Sequence, residues 1–141
     1  MPVQCGPMLI GHTEGEPGYG YIRGPTGVEM RYFNPRVEQG EFYYSWGGVP
    51  SKFYGANALE NISQHLAGVI IKGALVRMAA NGYNFVHQVH DELVYIVPTD
   101  KLTEAADLLM SELTSVPKWA PGLPLGAEIK AGPTYGDVKK L

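Results

Sequence analysis

The chain has 141 residues, 45% of them hydrophobic and 18% charged, with a formal net charge of −3. That is about one domain's length, with enough apolar material for a core. The acidic balance argues against binding nucleic acid by bulk charge alone, though not against a local basic groove.

The lone Cys5 has no internal disulfide partner and fits a reducing compartment. No apolar run reaches about 18 residues, so no membrane span is expected. A basic segment followed by an apolar core is absent at the N-terminus, which argues against a secretory signal. Neither a repeat nor a low-complexity tract is found.

Residues 1–20 are rich in Gly, Pro and polar side chains and read as an irregular segment, loosely ordered or needing a partner surface, with one short strand near Met8-Leu9-Ile10. His12, Glu14 and Glu16 crowd together there, and a solvated acidic loop accounts for them without a metal. From Tyr19 to Tyr44 the texture is strand–turn–strand. Gly24-Pro25-Thr26-Gly27 is a turn signal, and Val28, Met30 and Tyr32 alternate with Glu29 and Arg31 as in a half-buried strand. Asn34-Pro35 is expected to break that strand before Phe42-Tyr43-Tyr44, and Trp46-Gly47-Gly48-Val49-Pro50 reads as a loop. The aromatics here suit cross-strand packing first and base stacking second.

A long helix is predicted over Ala58–Ala80, with Asn57 as N-cap, Glu60 completing a capping box and Asn81-Gly82 closing it. Leu59, Ile62, Leu66, Val69 and Ile70 form its apolar stripe. Glu60, Gln64, Gly68 and Lys72 line up on another side. Such a row reads either as a solvated face or as a contact surface, and Gly68 suggests close approach of a backbone or a ligand. A hairpin over Tyr83–Val97 follows. A second helix is expected over Lys101–Thr114, capped by Thr99 or Asp100, then a strand over Leu123–Lys130 and a basic tail. The order gives an α+β fold, helices packed on one face of an antiparallel sheet.

The hairpin tip carries the chemistry. His90-Asp91 occupies a turn that ordinarily takes Asn-Gly or Asp-Gly, which suggests a turn kept for its side chains. Asp91 and Glu92 make an oxygen-rich site for a hard cation such as Mg²⁺, provided further carboxylates or a phosphate join them. Zinc on His87, His90 and Asp91 competes, but His87 and His90 face opposite sides of an extended strand. An exposed polar turn with no ion is the remaining reading.

Gln88-Val89-His90-Asp91-Glu92-Leu93-Val94 resembles motif C of the family A (DNA polymerase I-like) DNA polymerases. Phe53-Tyr54-Gly55 with Glu60-Asn61-Ile62-Ser63-Gln64 is similar to the helix before that motif in its phage-type version. The Gly-Pro-Thr-Gly turn with Arg31-Tyr32-Phe33-Asn34-Pro35, and Trp119 to Leu125 with Tyr135-Gly136-Asp137, match further segments in order. The resemblance covers residues 21–141 and implies part of a polymerase palm. It implies that Asp91 is one of two metal-binding catalytic aspartates, with Glu92 beside it and His90 near the primer terminus. Gln64 matches a minor-groove contact, and Gln88 and Lys72 are the further expected DNA contacts. Ala56 and Glu60 stand where bacterial members carry a groove-contacting arginine and asparagine, so those contacts are not carried over.

In the family, two Mg²⁺ ions align the primer end with the incoming dNTP. The chain has no Asp-x-Ser-x-x-Glu motif A, no fingers helix and no exonuclease domain. The expectation is therefore one piece of a split polymerase acting on primer–template DNA in the cytoplasm of a bacterium or phage-infected host, with a second polypeptide supplying motif A and the fingers. A non-catalytic DNA-binding accessory or remnant palm is the alternative; a self-contained metal-dependent hydrolase lacks ligands beyond the tip.

Overall fold

The computed structural model describes residues 1–15 and 18–141, so Glu16 of the acidic loop lies outside the described residues. The fold is α+β, and the chain divides into two compact units, Met1–Ala67 and Gly68–Leu141.

The first unit is a six-stranded antiparallel meander in chain order: β1 (Val3–Cys5), β2 (Met8–His12), β3 (Tyr19–Arg23), β4 (Glu29–Glu38), β5 (Glu41–Trp46) and β6 (Val49–Phe53). Three expectations are corrected here. The N-terminal segment is not irregular, because Gly6 at φ +55° turns β1 onto β2, and β2 pairs with β3 from Leu9↔Arg23 to His12↔Gly20. Asn34-Pro35 bends β4 without ending it. Asn34 sits at φ +50° and the register slips between Phe33 and Arg36, so a bulge absorbs the proline's missing N–H. The Trp46–Pro50 stretch is a hairpin, whose Gly47 and Gly48 both take positive φ (+54° and +81°). Two such residues match the twist that a two-residue connection needs.

Alternation sorts the meander into two sides. Ile22, Met30, Tyr32 and Tyr44 share one side, where Ile22 is buried and the Tyr32 ring lies 4.7 Å from Phe53 and 5.2 Å from Tyr44. The start of α1 (Gly55–Ala80) lies against it, with Asn61 Nδ2 donating to the Tyr32 hydroxyl at 3.1 Å. Burial is the main cause that raises the Tyr32 phenol above its ordinary value. His65 packs over the β3–β4 turn so closely that a Cβ on Gly24 would stand 2.3 Å from its Nε2. That turn closes as expected, Gly27 N–H donating to the Gly24 carbonyl at 3.0 Å.

On the other side Glu29 holds both Arg23 (2.7 Å) and Arg31 (3.1 Å). The Arg23 hydrogen bond is the main cause that lowers the Glu29 carboxyl below the ordinary glutamate value near 4.5. A depressed carboxyl contributes stability above its unfolded pKa and loses it as pH falls through the folded one. Glu29→Gln is therefore expected to flatten the acid limb of a thermal-melting profile below about pH 4.5. An acid limb identical to that of the unaltered protein would refute it.

Helix α1 begins at Gly55, one turn earlier than expected: Ala58 N–H donates to the Tyr54 carbonyl at 2.9 Å. Asn57 thus lies inside the helix and its Oδ1 is buried without a recorded partner, so the predicted capping box is absent. The C-terminal signal holds. Gly82 takes φ +87°, Tyr83 N–H donates to the Met78 carbonyl and Gly82 N–H to the Ala79 carbonyl, both at 3.0 Å.

From Gly68 onward the chain belongs to the second unit, with Ala74 and Met78 fully buried. It continues as β7 (Phe85–Val89), β8 (Glu92–Tyr95), a 3₁₀ turn at Thr99–Lys101, α2 (Leu102–Thr114), β9 (Lys130–Thr134) and β10 (Asp137–Lys140). Arg77 of α1 holds Glu112 of α2 through an ion pair and also donates to its carbonyl at 3.0 Å. Neither Thr99 nor Asp100 caps α2. The 3₁₀ turn leads straight into it, and Lys101 at its N-cap makes no side-chain cap bond. Residues 123–129 are not strand; β9 starts at Lys130, and the expected basic tail folds back on it as β10. The single expected sheet is instead three: the meander, β7–β8 and β9–β10.

Candidate functional site: an acidic hairpin tip

Strands β7 and β8 pair in the register Gln88↔Leu93 and Val89↔Glu92, which leaves His90 and Asp91 as the two tip residues. His90 takes φ +49°, a conformation that few residues other than glycine adopt. Gln88 steadies the turn by donating from Nε2 to the His90 carbonyl at 3.2 Å. Such a conformation costs of order 1–3 kcal/mol, and Asn34 and Gln39 share it. His90, Asp91 and Glu92 are all exposed, and Gln88 is half-buried.

Glu92 has a partner from the far end of the chain. The Tyr135 hydroxyl, in the turn joining β9 to β10, donates to Glu92 Oε2 at 3.0 Å. That bond is the main cause that raises the Tyr135 phenol above its ordinary value. It fixes one carboxylate oxygen of Glu92, whereas Asp91 has no recorded hydrogen bond among the described residues. Tyr135 was missed as a site residue in the sequence. The Tyr-Gly-Asp stretch stood out, but nothing local pairs it with a residue 43 positions away.

The register shift in β7 falls between Phe85 and His87, before His87 and not between it and His90. The bulge that convergence of the two histidines on one zinc would need is therefore not between them. No cluster of three or more potential metal-binding side chains occurs among the described residues. The donor set fits part of a Mg²⁺ site: two adjacent carboxylates at an exposed turn, one of them oriented.

The other expected contacts lie elsewhere. Gln64 belongs to the first unit, where its exposed amide donates to Glu60 at 3.3 Å and lines a groove of about 590 Å³ with Tyr32, Tyr44, Trp46 and Asn61. Lys72 is exposed on the part of α1 assigned to the second unit. A Cβ on Gly68 would meet nothing within 4 Å, so the close approach of another backbone segment expected there is not made.

No helix among the described residues is long and apolar enough to cross a membrane. Comparison with protein-family models, curated proteins and solved structures finds no match.

Proposed function

We propose that the chain is the C-terminal palm portion of a DNA-directed DNA polymerase of the family A type and supplies one half of a two-metal nucleotidyl-transfer site. The observation that carries the reading is the tip, which displays Asp91 and Glu92 beside a His90 held at φ +49°. The ordered resemblance of the surrounding segments gives that tip its chemistry.

Asp91 would hold Mg²⁺, with Glu92 beside it. When bound, such ions stabilise the charge that develops between the attacking and leaving oxygens. Tyr135 acts on Glu92 alone, holding one of its oxygens. Gln64 and Lys72, both exposed, would contact primer–template DNA, with Gln88 and His90 close to the primer end.

Two carboxylates do not make a complete site, and a second polypeptide would bring the other metal-binding aspartate and the dNTP-gripping helix. The tip is carried on a two-stranded sheet. A two-stranded hairpin is marginal by itself and gains stability from a third strand, which fits a site completed by another chain in the same cytoplasm.

The test is reconstitution. This chain alone is expected to give no primer extension. Adding a polypeptide that carries motif A and the fingers helix should restore synthesis dependent on Mg²⁺ and dNTP. A pair that binds DNA but never extends a primer, with binding indifferent to Mg²⁺, would favour the non-catalytic accessory domain instead.

A further inference from the structure

The side of the meander that faces away from Tyr32 has no place in the reading above, yet its composition is unusual. Three of the four arginines of the chain stand on it, each beside a tyrosine of a neighbouring position: Arg23 lies 5.2 Å from the Tyr21 ring centre, Arg31 4.9 Å from Tyr19, and Arg36 5.9 Å from Tyr43. Register puts them together, since Tyr19↔Phe33, Tyr21↔Arg31 and Arg23↔Glu29 pair across β3 and β4, and Arg36↔Tyr43 pairs across β4 and β5. Tyr21 is held flat over β2, where a Cβ on Gly11 would stand 2.6 Å from its hydroxyl. Tyr19 lies 5.8 Å from Phe33, which is 46% exposed.

The charge here runs against the rest of the molecule. Among the described residues Arg23, Arg31, Arg36 and Lys52 pair with Glu29, Glu38 and Glu41, in a chain with 14 acidic and 11 basic side chains. Glu29 serves two guanidinium groups at once, so among the described residues the Arg23–Arg31 pair has one carboxylate for two positive charges. The hydrogen bonds recorded for Arg31 use Nε alone, toward Glu29. An open depression of about 570 Å³ lies beside these residues, lined by Arg23, Gly27, Glu29 and Arg31.

We propose that this side of the sheet docks single-stranded nucleic acid, with bases against Tyr19 and Phe33 and phosphates taken by Arg23, Arg31 and Arg36. A single strand is the occupant that uses both halves of the surface. Its unstacked bases match the exposed Phe33 ring beside the half-buried Tyr19, and its backbone matches a row of cations. An acidic peptide would satisfy the arginines and leave the rings without a counterpart, and a duplex keeps its bases stacked out of their reach. The proposal rests on the meander alone and does not depend on Asp91 or on a second chain.

The experiment is fluorescence anisotropy of the full chain with a labelled oligothymidylate about 12 nucleotides long, within the range one such platform spans, at about 50 and 200 mM salt. Binding is expected to weaken with salt and to be the same with and without Mg²⁺. Tyr19→Leu with Phe33→Leu should weaken it about tenfold. Arg31→Gln with Arg36→Gln should reduce its salt dependence, and this pair removes charge while keeping the Tyr19–Phe33 ring contact. Circular dichroism checks that each variant stays folded; if the Leu pair unfolds, the Gln pair decides alone. Unchanged binding in the folded variants, equal competition by inorganic polyphosphate, or tighter binding of a duplex or of an oligoglutamate would overturn the proposal. Because no primer is extended in the assay, its failure leaves the polymerase reading untouched, and failed reconstitution leaves this one untouched.

Discussion

Asp91→Ala is expected to remove primer extension from the reconstituted pair by about 10³-fold or more. Holding a catalytic cation contributes several kcal/mol of charge stabilisation in the transition state, and each 1.36 kcal/mol is tenfold in rate. Asp91→Asn keeps the size of the side chain and loses its charge, so it should fall nearly as far. Both variants should melt at the temperature of the unaltered chain, because Asp91 is exposed and makes no recorded hydrogen bond among the described residues. Glu92→Gln should cost less, since one oxygen of Glu92 is already engaged by Tyr135. Steady-state extension rates with saturating Mg²⁺ and dNTP measure all three. Full activity in Asp91→Ala would remove the assignment of Asp91 and with it the reading of the tip.

Gly132→Ala should be the most disruptive small substitution in the second unit. An added Cβ would stand 1.7 Å from the Asp137 carbonyl oxygen and 2.7 Å from its carbon. The obstacle is backbone rather than a movable side-chain end, so β9 and β10 have to separate. Overpacking of this kind costs about 3 kcal/mol at the upper end of its usual range. Gly126→Ala is the matched control, because its Cβ would meet nothing within 4 Å. Urea denaturation should show a lower midpoint for Gly132→Ala alone, and hydrogen exchange should show faster exchange across residues 130–140. Equal midpoints for the two variants would mean that the close approach of Gly132 and Asp137 is not made in solution. Because Tyr135 sits in the turn between these strands, Gly132→Ala should also loosen Glu92 and lower reconstituted activity.

Local chemistry was legible in the sequence wherever one residue type has few options. Gly24-Pro25-Thr26-Gly27 turns the chain, Asn81-Gly82 ends the helix, and the alternation of Met30 and Tyr32 with Glu29 and Arg31 marks a strand, although Val28 lies before it and is exposed. The tip was located for the right physical reason, since His90 does occupy a position that disfavours it. Two errors came from weighing a breaker without its alternatives. Pro35 is tolerated where a bulge removes the need for its N–H, and Gly47-Gly48 is as good a hairpin signal as a loop signal. Residues 1–20 looked irregular apart from a strand near Met8-Leu9-Ile10, which is present as β2; β1 was missed because it is held by β2, and β2 in turn by β3, a partner outside any local window. The Tyr135–Glu92 and Asn61–Tyr32 bonds span 43 and 29 positions, and no periodicity carries information over that distance.

Strand β6, the last of the meander, pairs only with β5, and it carries Pro50 opposite Ser45 and Lys52 opposite Tyr43. A proline offers no amide to a newcomer, and a lysine makes a further strand costly to stack. This flank is thus guarded against promiscuous self-association, the usual fate of a long exposed ladder. The hairpin that bears Asp91 has neither safeguard within its strands: Phe85–Val89 and Glu92–Tyr95 contain no proline and no lysine. Kept without a companion at high concentration, the chain should clump through that hairpin rather than through β6.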